Sequence, residues 1–586
     1  MSIRGLLLFM AFFLLASCNQ TVKPTEPSLK LDYQSVKTLH FSWDDVTDET
    51  SYQLKMTSND TYDIDTVANL PADASEYHLI AFLPAVLDKK YFLAACNSAG
   101  CGESNTIAIN PAKLSTTVGY FKASNTDAGD NFGWQVATSA SGDILAVAAY
   151  LEKGGAATIN GNQGDNSKNA SGAVYVFALQ EDGHWKQEAY IKASNSDAGD
   201  HFGLSLDLSA DGSVLAVGAP NEDGDGSSIN DNSTTDSGAV YVFNRSPDGV
   251  WSQLIYLKPS TVDDNDHFGS AVALSADGKV LAVGAPEEDG NGSAEGDDSK
   301  IDSGAVYVFA TDSNGAWSQQ AYLKAPNIDP YDAFGYAVDL SATGTTLAVG
   351  AINESSSATG INGDGSNNNT NGSGAVYLFE KTGTGWQLQA YIKASNTGAD
   401  DHFGYSLALT SDKLLVGAPW EDSMARGFGG DQYSNASTDS GAAYLFATKG
   451  NGQWQQVEYV KASESRINNQ FGSSVTISAN GKQMAISAQY EASNATGFNG
   501  DQSNNQASFS GAVYTFFLNE SGSWNQQTYI KSPNSNAYDI FGCDLALSSD
   551  GGTLIVGAYG ESSNATGIGG DQNNNSATSS GAVYVF

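Results

Sequence analysis

The sequence predicts an all-β protein in which a small sandwich precedes a ring of seven four-stranded units, and three observations predict it. A Phe-Gly pair recurs at Phe132, Phe202, Phe268, Phe334, Phe403, Phe471 and Phe541, at intervals of 70, 66, 66, 69, 68 and 70 residues, a period long enough for several strands. Each pair leads into a small-residue strand ending near a Glu, and then into a Ser-Gly-Ala-(Val/Ala)-Tyr-x-Phe strand. The last repeat stops at Phe586 without the Trp-initiated fourth strand that ends the others, while the end of such a strand stands ahead of the first repeat as Tyr120-Phe121-Lys122-Ala123.

In chain order, residues 1–17 carry Arg4 and an apolar run from Leu6 to Leu15, too short for a permanent span and typical of a signal peptide. Leu15-Ala16-Ser17-Cys18 resembles the bacterial lipobox, which implies cleavage before Cys18 and lipid attachment to it; Asn19 resembles the pattern of lipoproteins sent to the outer membrane. Residues 18–29, with Pro24 and Pro27, read as a tether. Residues 30–112 read as a small all-β unit with strands at Leu39–Trp43, Ser51–Met56 and Lys90–Ala95. Trp43, Tyr52, Leu83-Pro84 before Tyr91, and Ala95-Cys96-Asn97-Ser98-Ala99-Gly100 resemble the core and signature positions of a fibronectin type III domain, an immunoglobulin-like sandwich. Cys96 and Cys101 are close enough to bridge across a turn in an oxidising compartment, and Cys543 reads as a packed, inert thiol.

Residues 113–586 hold the repeats, and 202–258 is typical. Phe202 opens a strand to Leu208, Asp211-Gly212 turns the chain, and Val214–Ala219 is a buried strand. A polar loop leads to the third strand from Gly238, and Trp251–Leu257 is the fourth. Four antiparallel strands at a fixed period are a propeller blade, so seven blades are expected, closed by the 118–123 strand.

Twenty-seven basic against 66 acidic residues give a net charge of −39, which excludes nucleic acid and anionic lipid as partners; the membrane is expected to be met only through the Cys18 lipid, and the chain to be monomeric. Seven lysines, at 122, 192, 258, 324, 393, 461 and 531, recur at one position of every repeat and read as structural. Topology places the loops between second and third strands, and the Asp-rich approaches to each repeat, on one face. Every repeat has a Glu after its second strand and an Asp later in the loop, including Glu222 with Asp231 and Glu288 with Asp297. These carboxylates either hold their own loops by accepting backbone N–H groups or bind Ca²⁺. The candidate calcium ligands are Glu222, Asp223, Asp225, Asp231, Glu288, Asp289, Asn291 and Asp297.

The Phe-Gly openings, the Val217-Gly218-Ala219-Pro220 strand and the seven-fold count resemble the FG-GAP repeats of integrin α-subunit propellers. The resemblance implies an extracellular recognition head. The integrin calcium loop does not transfer, because the interval between the first two strands is a tight turn here, such as Ser209-Ala210-Asp211-Gly212. His-Glu-x-x-His, Gly-x-Ser-x-Gly and phosphate-loop patterns are missing, and the acids follow the repeat, whereas a catalytic pair should break it. The expectation is therefore a surface-anchored binding or adhesion module for an extracellular protein or polysaccharide, the alternative being a glycosidase or lyase. Trp420, outside the fourth-strand pattern, is the candidate for stacking on a sugar, with Glu421 and Asp422 beside it as candidate ligand-binding residues; the other reading is an aromatic packed under its own loop.

Overall fold

The computed structural model describes residues 22–58, 63–292, 295–449 and 452–586. The expected signal peptide over residues 1–17 and the lipidated Cys18 lie outside them. The described residues are almost entirely strands and loops, and no helix among them is long and apolar enough to cross a membrane. The chain divides into two compact units, one built from residues up to Tyr33 with Leu39–Leu79 and Leu87–Asn110, the other from Pro111–Phe586 with Gln34–Thr38 and Ile80–Val86.

The N-terminal strands form two sheets. Lys30–Gln34, Thr38–Ser42 and Glu76–Ile80 make a three-stranded sheet; Ile64–Pro71, Ser51–Ser58, Lys89–Asn97 and Gly100–Glu103 make the other, to which Ile107–Ala108 is added. Leu39 and Phe41 alternate with His40 along their strand, so the apolar side chains are buried while His40 is only partly covered. Phe41 meets Tyr91 of the second sheet at 4.9 Å, and Trp43 meets Tyr52 at 5.5 Å. Cys96 and Cys101, paired across a hairpin, are joined by a disulfide.

The repeat region consists of seven four-stranded antiparallel sheets in sequence order, consistent with a β-propeller. The second is Ser205–Leu208, Val214–Ala219, Ala239–Arg245 and Trp251–Leu257. Six sheets take all four strands from consecutive sequence. The seventh takes Leu545–Leu547, Leu554–Ala558 and Ala582–Val585 from the end of the chain and Gly119–Phe121 from before the first repeat. Tyr584 pairs with Tyr120 and Val583 with Phe121, so the N-terminal strand covers an edge that would otherwise be open.

The repeated motifs are explained by contacts within and between neighbouring sheets. Each Phe of a Phe-Gly pair is fully buried; Phe202 packs edge-on against Tyr241 and Phe243 of its own third strand. Its N–H donates to Ser171 O of the preceding repeat at 3.2 Å, and Phe132 donates in the same way to Ser580 O of the last repeat at 3.1 Å. The Gly after that Ser is required: at Gly238, φ is +81° and a Cβ would lie 2.1 Å from Phe268 O. At the opposite ends of the strands the hairpin turns bond in series. Ser549 N–H donates to Ala140 O, Ala140 to Ala210, Ala210 to Ala276 and Ala276 to Ala342, at 2.7–3.0 Å. The fifth sheet, whose turn has three residues (410–412) where the third has five (275–279), stands outside this run.

Candidate functional site

The recurring Glu and Lys meet. All seven glutamates are buried, and each pairs with the lysine after its sheet's fourth strand at 2.6–3.0 Å: Glu152 with Lys192, Glu222 with Lys258, Glu288 with Lys324, Glu354 with Lys393, Glu421 with Lys461, Glu491 with Lys531 and Glu561 with Lys122. In the fourth repeat, Glu354 also accepts hydrogen bonds from the Tyr391 hydroxyl (2.8 Å) and Asn327 (3.0 Å), and Lys393 donates to Ser373 (2.7 Å). Burial lowers the lysine below its ordinary pKa, and the Glu354 carboxylate opposes that shift.

Glu222 and Glu288, expected as calcium ligands, and Glu421, expected beside Trp420 as a ligand-binding residue, are therefore each committed to a lysine. Their carboxylates face an ammonium group, so a cation would have to displace the lysine. The remaining loop residues hold their loops. Asp223 accepts Asp236 N–H at 2.8 Å, Asp289 accepts Asp302 N–H at 2.7 Å, and Asp225 and Asp297 accept the N–H two residues on. Asp231 accepts Asp225 N–H and the Ser233 hydroxyl, which hold its carboxyl down at about 2. Asn291 donates to Ser299 at 2.8 Å. Among the described residues, no three His, Cys, Asp or Glu side chains of these loops bring ligand atoms within 4.8 Å of one another.

A second set of buried acids lies at the approach to six of the seven repeats, the sixth repeat having Asn469 there. Asp130, Asp200, Asp332, Asp401 and Asp539 are pushed up to about 7 and Asp266 to about 8, in each case chiefly by burial. Asp200 still accepts Asp197 N–H at 2.6 Å.

The feature that departs from the repeat is central. The first strands of the seven sheets line a cavity of about 1000 Å³. Inside it, Asp207 accepts Leu274 N–H at 2.6 Å, Asp339 accepts Leu409 N–H at 2.6 Å and Asp544 accepts Val136 N–H at 2.8 Å, each joining its strand to the next sheet. Burial raises these three acids to about 6, 7 and 6. Trp134, Tyr336 and Tyr405, each following a Phe-Gly pair, and Tyr490 and Tyr559, at the ends of second strands, bring partly exposed rings to the loop end of the cavity. Trp134 lies 5.0 Å from Tyr559, and Tyr336 lies 5.3 Å from Tyr405.

Trp420 does not line the cavity but packs against one of these rings. It is half-buried, edge-on to Tyr405 at 5.1 Å and to His402 at 4.9 Å. Its neighbour Asp422 accepts Asp439 N–H at 2.9 Å and so shapes the loop. Opposite in chemistry is a polar sector: His201 bonds Asn221 (2.7 Å), Asn221 bonds Asp236 (3.1 Å), and His267 bonds Glu287 (2.7 Å), which lines the cavity and holds that imidazole above its ordinary pKa. Sequence reasoning missed Trp134, Tyr336, Tyr405, Tyr490 and Tyr559. Their signal was an aromatic residue at a position that other repeats fill with Leu204, Ser270 or Ser473 after the Phe-Gly pair, with Pro286 in the case of Tyr559, and with Asn221 in the case of Tyr490.

A family model described as FG-GAP repeat matches residues 185–243, 251–309, 317–379, 386–446 and 524–586, together more than half of the chain. Each match runs from one sheet's fourth strand to the next sheet's third. Among curated proteins no relative matches. Among solved structures, a fibronectin type III domain of human collagen XX is 14% identical, covering 15% of this chain and 88% of that one with a TM-score of 0.12. The FN1–FN3 domains of chicken CNTN1 are 9% identical, covering 53% of this chain and 100% of that one, also at 0.12.

Proposed function

The chain belongs to the FG-GAP repeat family, and from that premise we propose that its repeat region is a seven-bladed, integrin-like β-propeller serving as an extracellular binding head. On this reading a fibronectin type III-like domain carries the head, and a lipid on Cys18 anchors it at the outer membrane or cell surface of a Gram-negative bacterium. The ligand site is the loop end of the central cavity, and the ligand is a polysaccharide segment. Calcium enters this reading as an ion of the outer loops, around Asp225, Asp231 and Asp297.

The observation that carries the reading is the rim of partly exposed rings at Trp134, Tyr336, Tyr405, Tyr490 and Tyr559 around a cavity of about 1000 Å³, with Trp420 packed against Tyr405. Tyr and Trp offer an apolar face with a polar edge, which suits a sugar ring, and concave aromatic sites with a few polar groups are common ligand sites. The seven buried glutamates outside the cavity are each paired with a lysine and so are committed to the fold.

Tryptophan fluorescence of the purified protein, titrated against a panel of oligosaccharides and surface proteins, tests it. Tyr405→Ala and Trp134→Ala should each weaken glycan binding at least tenfold while the unfolding midpoint stays near that of the parent. Unchanged glycan binding in both variants, or binding confined to the protein ligands, would overturn the polysaccharide site at the cavity.

A further inference from the structure

Away from the cavity, His40, Glu76 and His78 stand together on the three-stranded sheet of the N-terminal unit. Their candidate ligand atoms all lie within 4.8 Å of one another. The strand pattern explains why. Along Thr38–Ser42 the buried residues are Leu39 and Phe41, leaving His40 on the outer side; along Glu76–Ile80 the exposed residues are Glu76, His78 and Ile80. Trp43 N–H donates to Ser75 O and Ala81 N–H to Lys37 O, which brackets an antiparallel register setting His40 opposite His78, with Glu76 two residues along on the same face. The two imidazoles stack at 4.3 Å with their planes 11° apart, and His40 Nε2 lies 3.1 Å from Glu76 Oε2.

We propose that His40, Glu76 and His78 form a binding site for a divalent transition-metal ion such as Zn²⁺ or Cu²⁺. Two imidazole nitrogens and one carboxylate oxygen are a donor set for these ions, whereas Ca²⁺ takes oxygen ligands. Bonds of about 2.0–2.2 Å hold ligand atoms roughly 3.0–3.5 Å apart, a spacing that His40 Nε2 and Glu76 Oε2 already have and that the third ligand atom, from His78, has to reach. Side-chain rotation of the exposed Glu76 and His78 supplies that movement, while the sheet holds the backbones in register. Glu76 is 62% exposed at its side chain and His40 17%, so water completes the coordination from the open side. The ion bridges the central strand of this sheet to one of its edge strands. This site is independent of the cavity and shares no residue with it.

The test is copper binding to the purified protein, followed by electron paramagnetic resonance for nitrogen coupling and by titration calorimetry with Zn²⁺. One equivalent of Cu²⁺ should show two coordinated nitrogens. His78→Asn should leave one nitrogen and weaken Zn²⁺ at least tenfold, and His40→Asn should do likewise. Glu76→Gln should keep both nitrogens and weaken binding less, and a Ca²⁺ excess should not displace the ion. Melting without metal checks that the surface variants fold as the parent does. Failure of the first equivalent to acquire nitrogen ligands in the parent protein, or an unchanged two-nitrogen signal in both His variants, overturns the site.

Discussion

Lys393 shows what a single residue contributes in this architecture. Its ammonium group is out of contact with water, 2.6 Å from Glu354 and 2.7 Å from Ser373. A buried pair gains little over an apolar pair of the same shape, but removing one member strands the other charge, at a cost of about 3–5 kcal/mol. Lys393→Met should therefore lower stability by about that amount in urea unfolding. The double variant Glu354→Gln/Lys393→Met should recover a large part of the loss. A double variant no more stable than the single one would mean that the loss lies in packing and not in an uncompensated carboxylate. The pairing was only half legible in the sequence. The lysines and the glutamates each showed as a seven-fold series, and the lysines were rightly read as structural. Glu354 and Lys393 are 39 residues apart, however, and Glu561 and Lys122 are 439 apart, so only the folded sheets bring the two series together.

The element that matters most is the short strand Gly119–Phe121. It is three residues long, yet it completes the seventh sheet beside Ala582–Val585. Phe121 is buried against Phe177 of the first sheet, and Lys122 supplies the partner of Glu561. A protein beginning at Ser124 would lose the covered edge and leave a buried glutamate unpaired. It should unfold at a clearly lower denaturant concentration and associate through the bare strand. Calorimetry and light scattering against a protein beginning at Lys113 measure this; equal stability and equal solubility of the two would remove the strand from the account. Strand boundaries were legible wherever alternation and turn residues agreed, as at Val214–Ala219 and Trp251–Leu257. The first strands were less so, since Phe202-Gly203 is a turn in the second repeat while Phe334-Gly335 begins a strand in the fourth.

At the scale of the whole molecule, acidity and burial act together. Nine aspartates, 130, 200, 266, 332, 401 and 539 at the repeat approaches and 207, 339 and 544 in the cavity, are raised by burial to values between about 6 and about 8 from an ordinary 3.8. A raised carboxyl holds its proton more tightly in the folded state than in the unfolded one. Its contribution is complete below about 4 and is lost as pH rises through about 6 to 8. Repulsion within a chain of net charge −39 grows in the same direction. The urea midpoint should therefore be higher at pH 5 than at pH 8. A midpoint that climbs over this interval would mean that these acids are ionised and stabilised in the fold.

By itself the sequence determined the all-β class, the repeat period, the missing fourth strand and its supply from the N-terminus, because every repeat must satisfy the same neighbours and so repeats the same residues. Tertiary structure alone decided which carboxylates are available. Glu222 and Glu288 read as loop-holding or calcium-binding acids, and Glu421 stood beside a candidate ligand residue, yet all three lie against lysines that follow the fourth strand of their sheet. It also decided where the cavity rim lies. Trp134, Tyr336, Tyr405 and Tyr559 come from four repeats and are neighbours only because the first strands of all seven sheets converge on one cavity. A repeat advertises what each unit needs in order to pack; a site assembled from one unlike residue per unit has no local pattern, and only the converging sheets gather it.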